Sequence, residues 1–114
     1  MLYKVFAMIR TKMPAFDPLT TTAAKLRDLL QSGQITSVDI VNTYLAQIAP
    51  HNHAGLQLNA LISVAPVDLL HRTARALDQE RKDGRVRSDL HGIPIVLKVG
   101  RAWAASDFLF MWLG

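Results

Sequence analysis

Two short apolar runs, LNALISVA (residues 58–65) and GIPIVLKV (residues 92–99), stand either side of an amphipathic helical stretch, and that order limits the architectures open to the chain. Each run has the length of a strand and is bounded by polar or turn-forming residues, the pattern of a buried strand. Between them Pro66 occupies the place of a first helical residue, and Leu69, Leu70, Ala74 and Leu77 recur at helical spacing as far as Gly84. Asp78 and Lys82 lie four residues apart on that helix, a pairing that adds a few tenths of a kcal/mol to an exposed face. Strand, helix, strand in this order predicts a right-handed βαβ unit with parallel strands. Two parallel strands and three helices cannot cover both faces of a sheet, so the pattern predicts one piece of a larger α/β domain.

The other two helices lie upstream. After FDPLTTT, the stretch AAKLRDLLQSG places Ala23, Leu26, Leu29 and Leu30 on one face, with Gly33 as its C-terminal stop. Thr36 is followed three residues on by Asp39, a variant of the capping box, so a second helix begins near Ser37. Its apolar face is Ile40, Val41, Tyr44, Leu45 and Ile48, and Pro50 with the polar HNHAG brings it to an end.

A chain of 114 residues suits one modest domain that buries about 65% of its unfolded surface. Half of the residues are apolar and 19% are charged, which excludes a disordered polyelectrolyte. The absence of cysteine excludes a disulfide framework, a thiolate zinc site and a cysteine nucleophile, and with it goes a reducing, cytoplasmic location. No apolar stretch reaches the roughly 20 residues that span a bilayer. Residues 1–15 carry Lys4, Arg10 and Lys12 and no acid; they lack the long uncharged core and cleavage site of a signal peptide, share the basic signature of transit peptides, and read as an N-terminal extension.

The net charge of +4 is concentrated in two places, this extension and residues 72–101. In the second, Arg72, Arg75, Arg81, Lys82, Arg85, Arg87, Lys98 and Arg101 are interleaved with Asp78, Glu80, Asp83 and Asp89, the mark of a solvated helix face. No aromatic platform accompanies the charge, so no nucleic-acid partner is expected.

Lys98 closes the run Ile93, Pro94, Ile95, Val96, Leu97. Pointing into a domain, such a lysine is desolvated and becomes a base; at a strand end it snorkels to water instead, and spacing leaves both readings open. Gly92 calls for a tight turn or a close backbone approach. Among His51, His53, His71 and His91, the first two form an H-x-H pair without a nearby carboxylate, so no metal is expected. No glycine-rich phosphate loop exists, and none of the serines stands in a nucleophile motif, so neither cofactor nor nucleophile is nominated.

The order DPLTTTAAKLRDLLQSGQITSVDIVNTYLAQI, HNHAGLQLNALISVAP, ARALDQERKDGRVRSDLHGIPIVLK closely resembles the N-terminal part of amidase signature enzymes, particularly fungal-type amidases. LHGIPIVLK is its most specific element, and residues 16–98 form a partial amidase signature domain. The resemblance implies an α/β/α fold around a large mixed sheet, of which this chain holds the helices and one βαβ unit. It further implies hydrolysis of small-molecule carboxylic amides through a Ser, cis-Ser, Lys triad, with Lys98 as the base. The glycine- and serine-rich motif that supplies both serines in the family is absent.

The likeness ends at Lys98. Family members continue with an acid and a polar loop, whereas Val99-Gly100-Arg101 leads here into AWAASDFLFMWLG, so residues 99–114 read as an apolar tail foreign to the fold. Val-Gly is encoded by GTNGGN, which fits the 5′ end of a fungal intron read through to a stop. Two expectations follow: an inactive amidase relative, or a small non-enzymatic protein binding a membrane surface, nucleic acid or a partner through its basic helix or apolar tail.

Overall fold

In the computed structural model, which describes residues 15–98, local capping sets the starts of the first two helices and the stops of the first and third. Apart from Ala15, the extension expected over 1–15 and the tail expected over 99–114 lie outside these residues. Helix α1 (Ala23–Gln31) starts at Thr22, whose hydroxyl accepts the Lys25 N–H. It stops where Gly33 turns to φ 73°, so that the Gly33 N–H reaches Leu30 O and the Gln34 N–H reaches Leu29 O. These two bonds satisfy carbonyls that the helix leaves open. Helix α2 (Ser37–His51) starts with the expected capping box: Thr36 Oγ1 accepts from the Asp39 N–H at 3.1 Å, and Asp39 Oδ2 accepts from the Thr36 N–H at 3.0 Å. It carries Pro50 within its last turn and stops one residue later. Helix α3 (Val67–Lys82) follows Pro66, which stands at the cap position just outside it, and closes with the same paired bonds about Gly84.

Two apolar clusters hold these helices together. Phe16, Leu26, Leu29, Leu30, Ile35, Ile40 and Ile93 form the first, with Tyr44 packed on it and the Phe16 and Tyr44 ring centroids 5.8 Å apart. Val41, Ala65, Leu70 and Ala74 form the second, where α2 packs against α3 with Val38, Leu45 and Val64 at its margin. Each fully buried aliphatic side chain of this kind contributes about 1.5–3 kcal/mol.

No strand forms among the described residues, so the expected α/β architecture with a βαβ unit gives way to three helices joined by extended segments. The reason is visible in both apolar runs. A strand exists only through a neighbour that takes its backbone bonds. In the first run Asn59 adopts φ 47°, incompatible with a strand, and the side chain of Asn52 occupies the partner's place. Asn52 Oδ1 accepts the Leu61 N–H at 3.0 Å, and its Nδ2 donates to Leu61 O at 2.9 Å. The second run starts in a turn, Pro94 offers no N–H, and Val96, Leu97 and Lys98 are exposed. Apolar periodicity marks what can be buried, not what it pairs with.

Candidate functional site

The site grows from the end of α3. Beyond Gly84 the chain doubles back, and Arg87 grips Glu80: Nε donates to Oε2 at 2.8 Å while Nη2 donates to Oε1. This forked, charge-assisted contact holds the Glu80 carboxyl below its ordinary value and the Arg87 guanidinium above its own, with desolvation opposing both shifts.

The doubling back delivers His91 into the protein, fully buried. The Arg87 N–H donates to His91 Nδ1 at 3.3 Å, and His91 Nε2 lies 2.9 Å from the carbonyl oxygen of Leu77. One ring nitrogen therefore faces a donor and the other an acceptor, which assigns the ring proton to Nε2. The backbone of the same residue is held too, since Arg81 Nη2 donates to His91 O at 2.7 Å.

Gly92 comes next, buried with φ 84°. A Cβ placed there would press into Ser37 Oγ, so the close backbone approach read from the sequence is what the structure contains. Ser37 is itself fully buried at the first turn of α2, and its Oγ has no hydrogen-bond partner among the described residues. Its N–H, with that of Val38, is taken by the carboxylate of Asp78 on α3. Asp78 is thus committed to α2, and not to Lys82 as the helical spacing suggests.

From this corner the chain runs outward. Ile93 enters the first cluster, its N–H bonded to Leu90 O at 3.0 Å. Pro94 lies over the seam of the helix pair with Val41, Leu45, Ile48 and Leu70. Lys98 ends the segment, exposed, and makes no ion pair or hydrogen bond among the described residues. Gly92, Pro94 and Lys98 share this segment by sequence alone; what the structure adds is the corner at Gly92, where Ser37 meets it and Asp78 and His91 hold it, roles that sequence reasoning leaves Asp78 and His91 without. The signal for His91 is its place directly before a glycine-led apolar run; for Asp78 there is none, because its partners lie some 40 positions away.

The remaining candidates are dispersed. His53 Nδ1 pairs with Asn59 Oδ1 at 3.0 Å, His71 Nε2 with Asn42 Oδ1 at 2.7 Å, and His51 sits in the last turn of α2. Ser32 Oγ donates to Leu29 O, and Ser88 Oγ accepts the Leu90 N–H. An apolar groove of about 350 Å³ is lined by Tyr44, Ile48, Leu56, Leu58 and Leu61 among others, and Lys98 takes no part in it. No described helix is long and apolar enough to cross a membrane.

Comparison with known proteins gives the site its context. The chain is 39% identical over 80 residues, covering 68% of its own length, to a protein with an amidase designation from Schizosaccharomyces pombe. It is 31% identical over 96 residues to one so designated from Arthroderma benhamiae, and 34% identical over 80 residues to a glutamyl-tRNA(Gln) amidotransferase subunit from Clostridium kluyveri, each match covering 70% of this chain. The matches span only 12%, 16% and 15% of those three proteins. No family model and no solved structure matches.

Proposed function

This chain belongs to the amidase signature family, and we propose that it carries the lysine-bearing N-terminal part of a fungal-type enzyme that hydrolyses carboxylic amides. The supporting observation is LHGIPIVLK, which ends at Lys98, inside a chain similar to amidase-designated proteins over more than two thirds of its length. Lys98 is the base of a Ser, cis-Ser, Lys relay: it takes a proton from a bridging serine. That serine takes one from the nucleophilic serine, which attacks the amide carbonyl. The substrate is a small-molecule amide, the reaction needs no cofactor, and the location is the cytoplasm.

Residues 16–98 are the partial amidase domain in this reading, and they supply the base without either serine or an oxyanion hole. A base with no nucleophile within hydrogen-bond reach leaves the barrier untouched, so the 114-residue chain is inactive by itself. Incubation with simple aliphatic and aryl amides is expected to give no turnover; turnover that disappears in Lys98→Ala would overturn this. The role of Lys98 is read in a chimera in which residues 16–98 replace the corresponding stretch of the Schizosaccharomyces pombe relative. There Lys98→Ala is expected to lower kcat by about 10³ or more, and full activity after the substitution would remove the base from the mechanism. The binding alternative has less support, because Arg85 and Arg87 already spend their charge on Asp83 and Glu80.

A further inference from the structure

We propose that His91 is a positioning residue for Lys98, acting through a buried turn that fixes the direction in which residues 93–98 leave the helices. The proposal rests on Lys98 being the base of the family reaction. A fully buried imidazole is costly unless both nitrogens are bonded, and here both are. An apolar side chain would fill the space without that demand. What the imidazole adds is direction, because its two bonds tie three parts of the chain together: α3 at Leu77, the returning chain at Arg87, and the turn itself.

His91, Gly92 and Ile93 are three consecutive buried residues, and each is fixed differently. His91 is bonded through its ring and its carbonyl, Gly92 is seated on Ser37, and Ile93 is packed among the leucines of α1. Ser37 is in turn held by Asp78, so the turn rests on α2 and α3 together. Beyond Ile93, Pro94 and Ile95 are half-buried, Pro94 lining a small cavity at the helix seam, and the last three residues to Lys98 are exposed. Five residues of extended chain span at most about 17 Å. The turn therefore bounds where Lys98 can lie and sets the direction in which the segment leaves, and a base must be held to about 0.5 Å to work.

The test uses the whole chain, which contains no cysteine and so accepts a single nitroxide at Val96→Cys, an exposed position two residues before Lys98. The electron paramagnetic resonance line shape is compared with His91 intact, in His91→Gln, whose amide can donate to Leu77 O, and in His91→Leu, which has no polar atom. Far-UV circular dichroism monitors the helices in parallel. The expected result is a several-fold shorter correlation time in His91→Leu, with His91→Gln close to the parent and the helices unchanged. A His91→Leu spectrum identical to the parent, or a His91→Gln spectrum as mobile as His91→Leu, overturns the proposal. Should His91→Leu fail to fold, the decision passes to Arg81→Met, which releases only the His91 carbonyl: increased mobility at position 96 supports the anchor and a parental line shape refutes it. None of these readings depends on amide turnover, so loss of the Lys98 base assignment in the chimera would be seen separately.

Discussion

Asp78 on α3 accepts the N–H of Ser37 at 2.7 Å and that of Val38 at 3.3 Å, so a carboxylate from one helix caps the first turn of another. The first N–H groups of a helix have no partner within it, and its N-terminus carries partial positive charge. Thr36 and Asp39 satisfy the local half of that demand, and Asp78 satisfies the rest from across the α2–α3 interface. Asp78→Ala is expected to cost about 2 kcal/mol, since it leaves two part-buried donors open. Asp78→Asn, which keeps one acceptor and loses the charge, should fall between the two. Urea denaturation reads this as a lower midpoint at unchanged slope.

Gly92 and Ser37 make a second, tighter relationship. Gly92→Ala forces a side chain into φ 84° and pushes its methyl against Ser37 Oγ. Together these cost about 3 kcal/mol. Ser37→Ala alone should change stability by less than about 0.5 kcal/mol, because the hydroxyl has no partner to lose among the described residues. Combined, the two substitutions should be less damaging than their sum, since the second removes the atom that the first collides with. Thermal unfolding of the four proteins measures that coupling directly.

What the sequence reveals and what it hides follow the range of the interaction. Thr36, Asp39, Gly33 and the apolar faces of α1 and α2 are legible because caps and amphipathic spacing act within a few residues. The two apolar runs pass for buried strands because apolar composition marks what can be buried and not what is: Leu58, Ile62, Val96 and Leu97 are exposed, and among the described residues only Ala65 in the first run and Gly92 and Ile93 in the second are buried. His91 and Asp78 are invisible in their roles, since those roles exist only once α2 and α3 are packed. Lys98 stands out only through the resemblance of LHGIPIVLK to a family, and the role proposed for it rests on that resemblance.

Acid sensitivity follows from Glu80. The Arg87 fork holds its carboxyl below the ordinary value of 4.5. A group depressed in the folded state stabilises fully above its unfolded value and loses that contribution as pH falls through the folded one. Stability should therefore decline from about pH 4.5 downward, with Asp83, lowered by its bonds to Arg85 and Gln79, and Asp17, lowered by Leu19 and Thr20, adding to the same side. In Arg87→Gln the decline should be shallower, because Glu80 then titrates near its free value. Urea midpoints collected between neutrality and acid for both proteins test the slope, and identical slopes would assign the acid response elsewhere.

Asn52 provides the sharpest local test, because its side chain performs the work of a strand. Its amide is buried and exchanges both hydrogen bonds with the backbone of Leu61, as a neighbouring residue in an antiparallel ladder would. Asn52→Ala leaves the Leu61 N–H and carbonyl without these partners and is expected to cost about 2 kcal/mol. Asn52→Asp keeps the acceptor for the N–H but turns a carboxylate oxygen toward the Leu61 carbonyl, so it should be damaging at neutral pH. Protonation restores a donor at that position, and the gap between the aspartate variant and the parent should narrow in mild acid, where Asn52→Ala stays as weak as before. Melting curves at neutral and mildly acidic pH distinguish the two variants. A constant gap for Asn52→Asp would mean that the segment is held by the packing of Ala65 and Val64, and that the amide bonds are incidental to it.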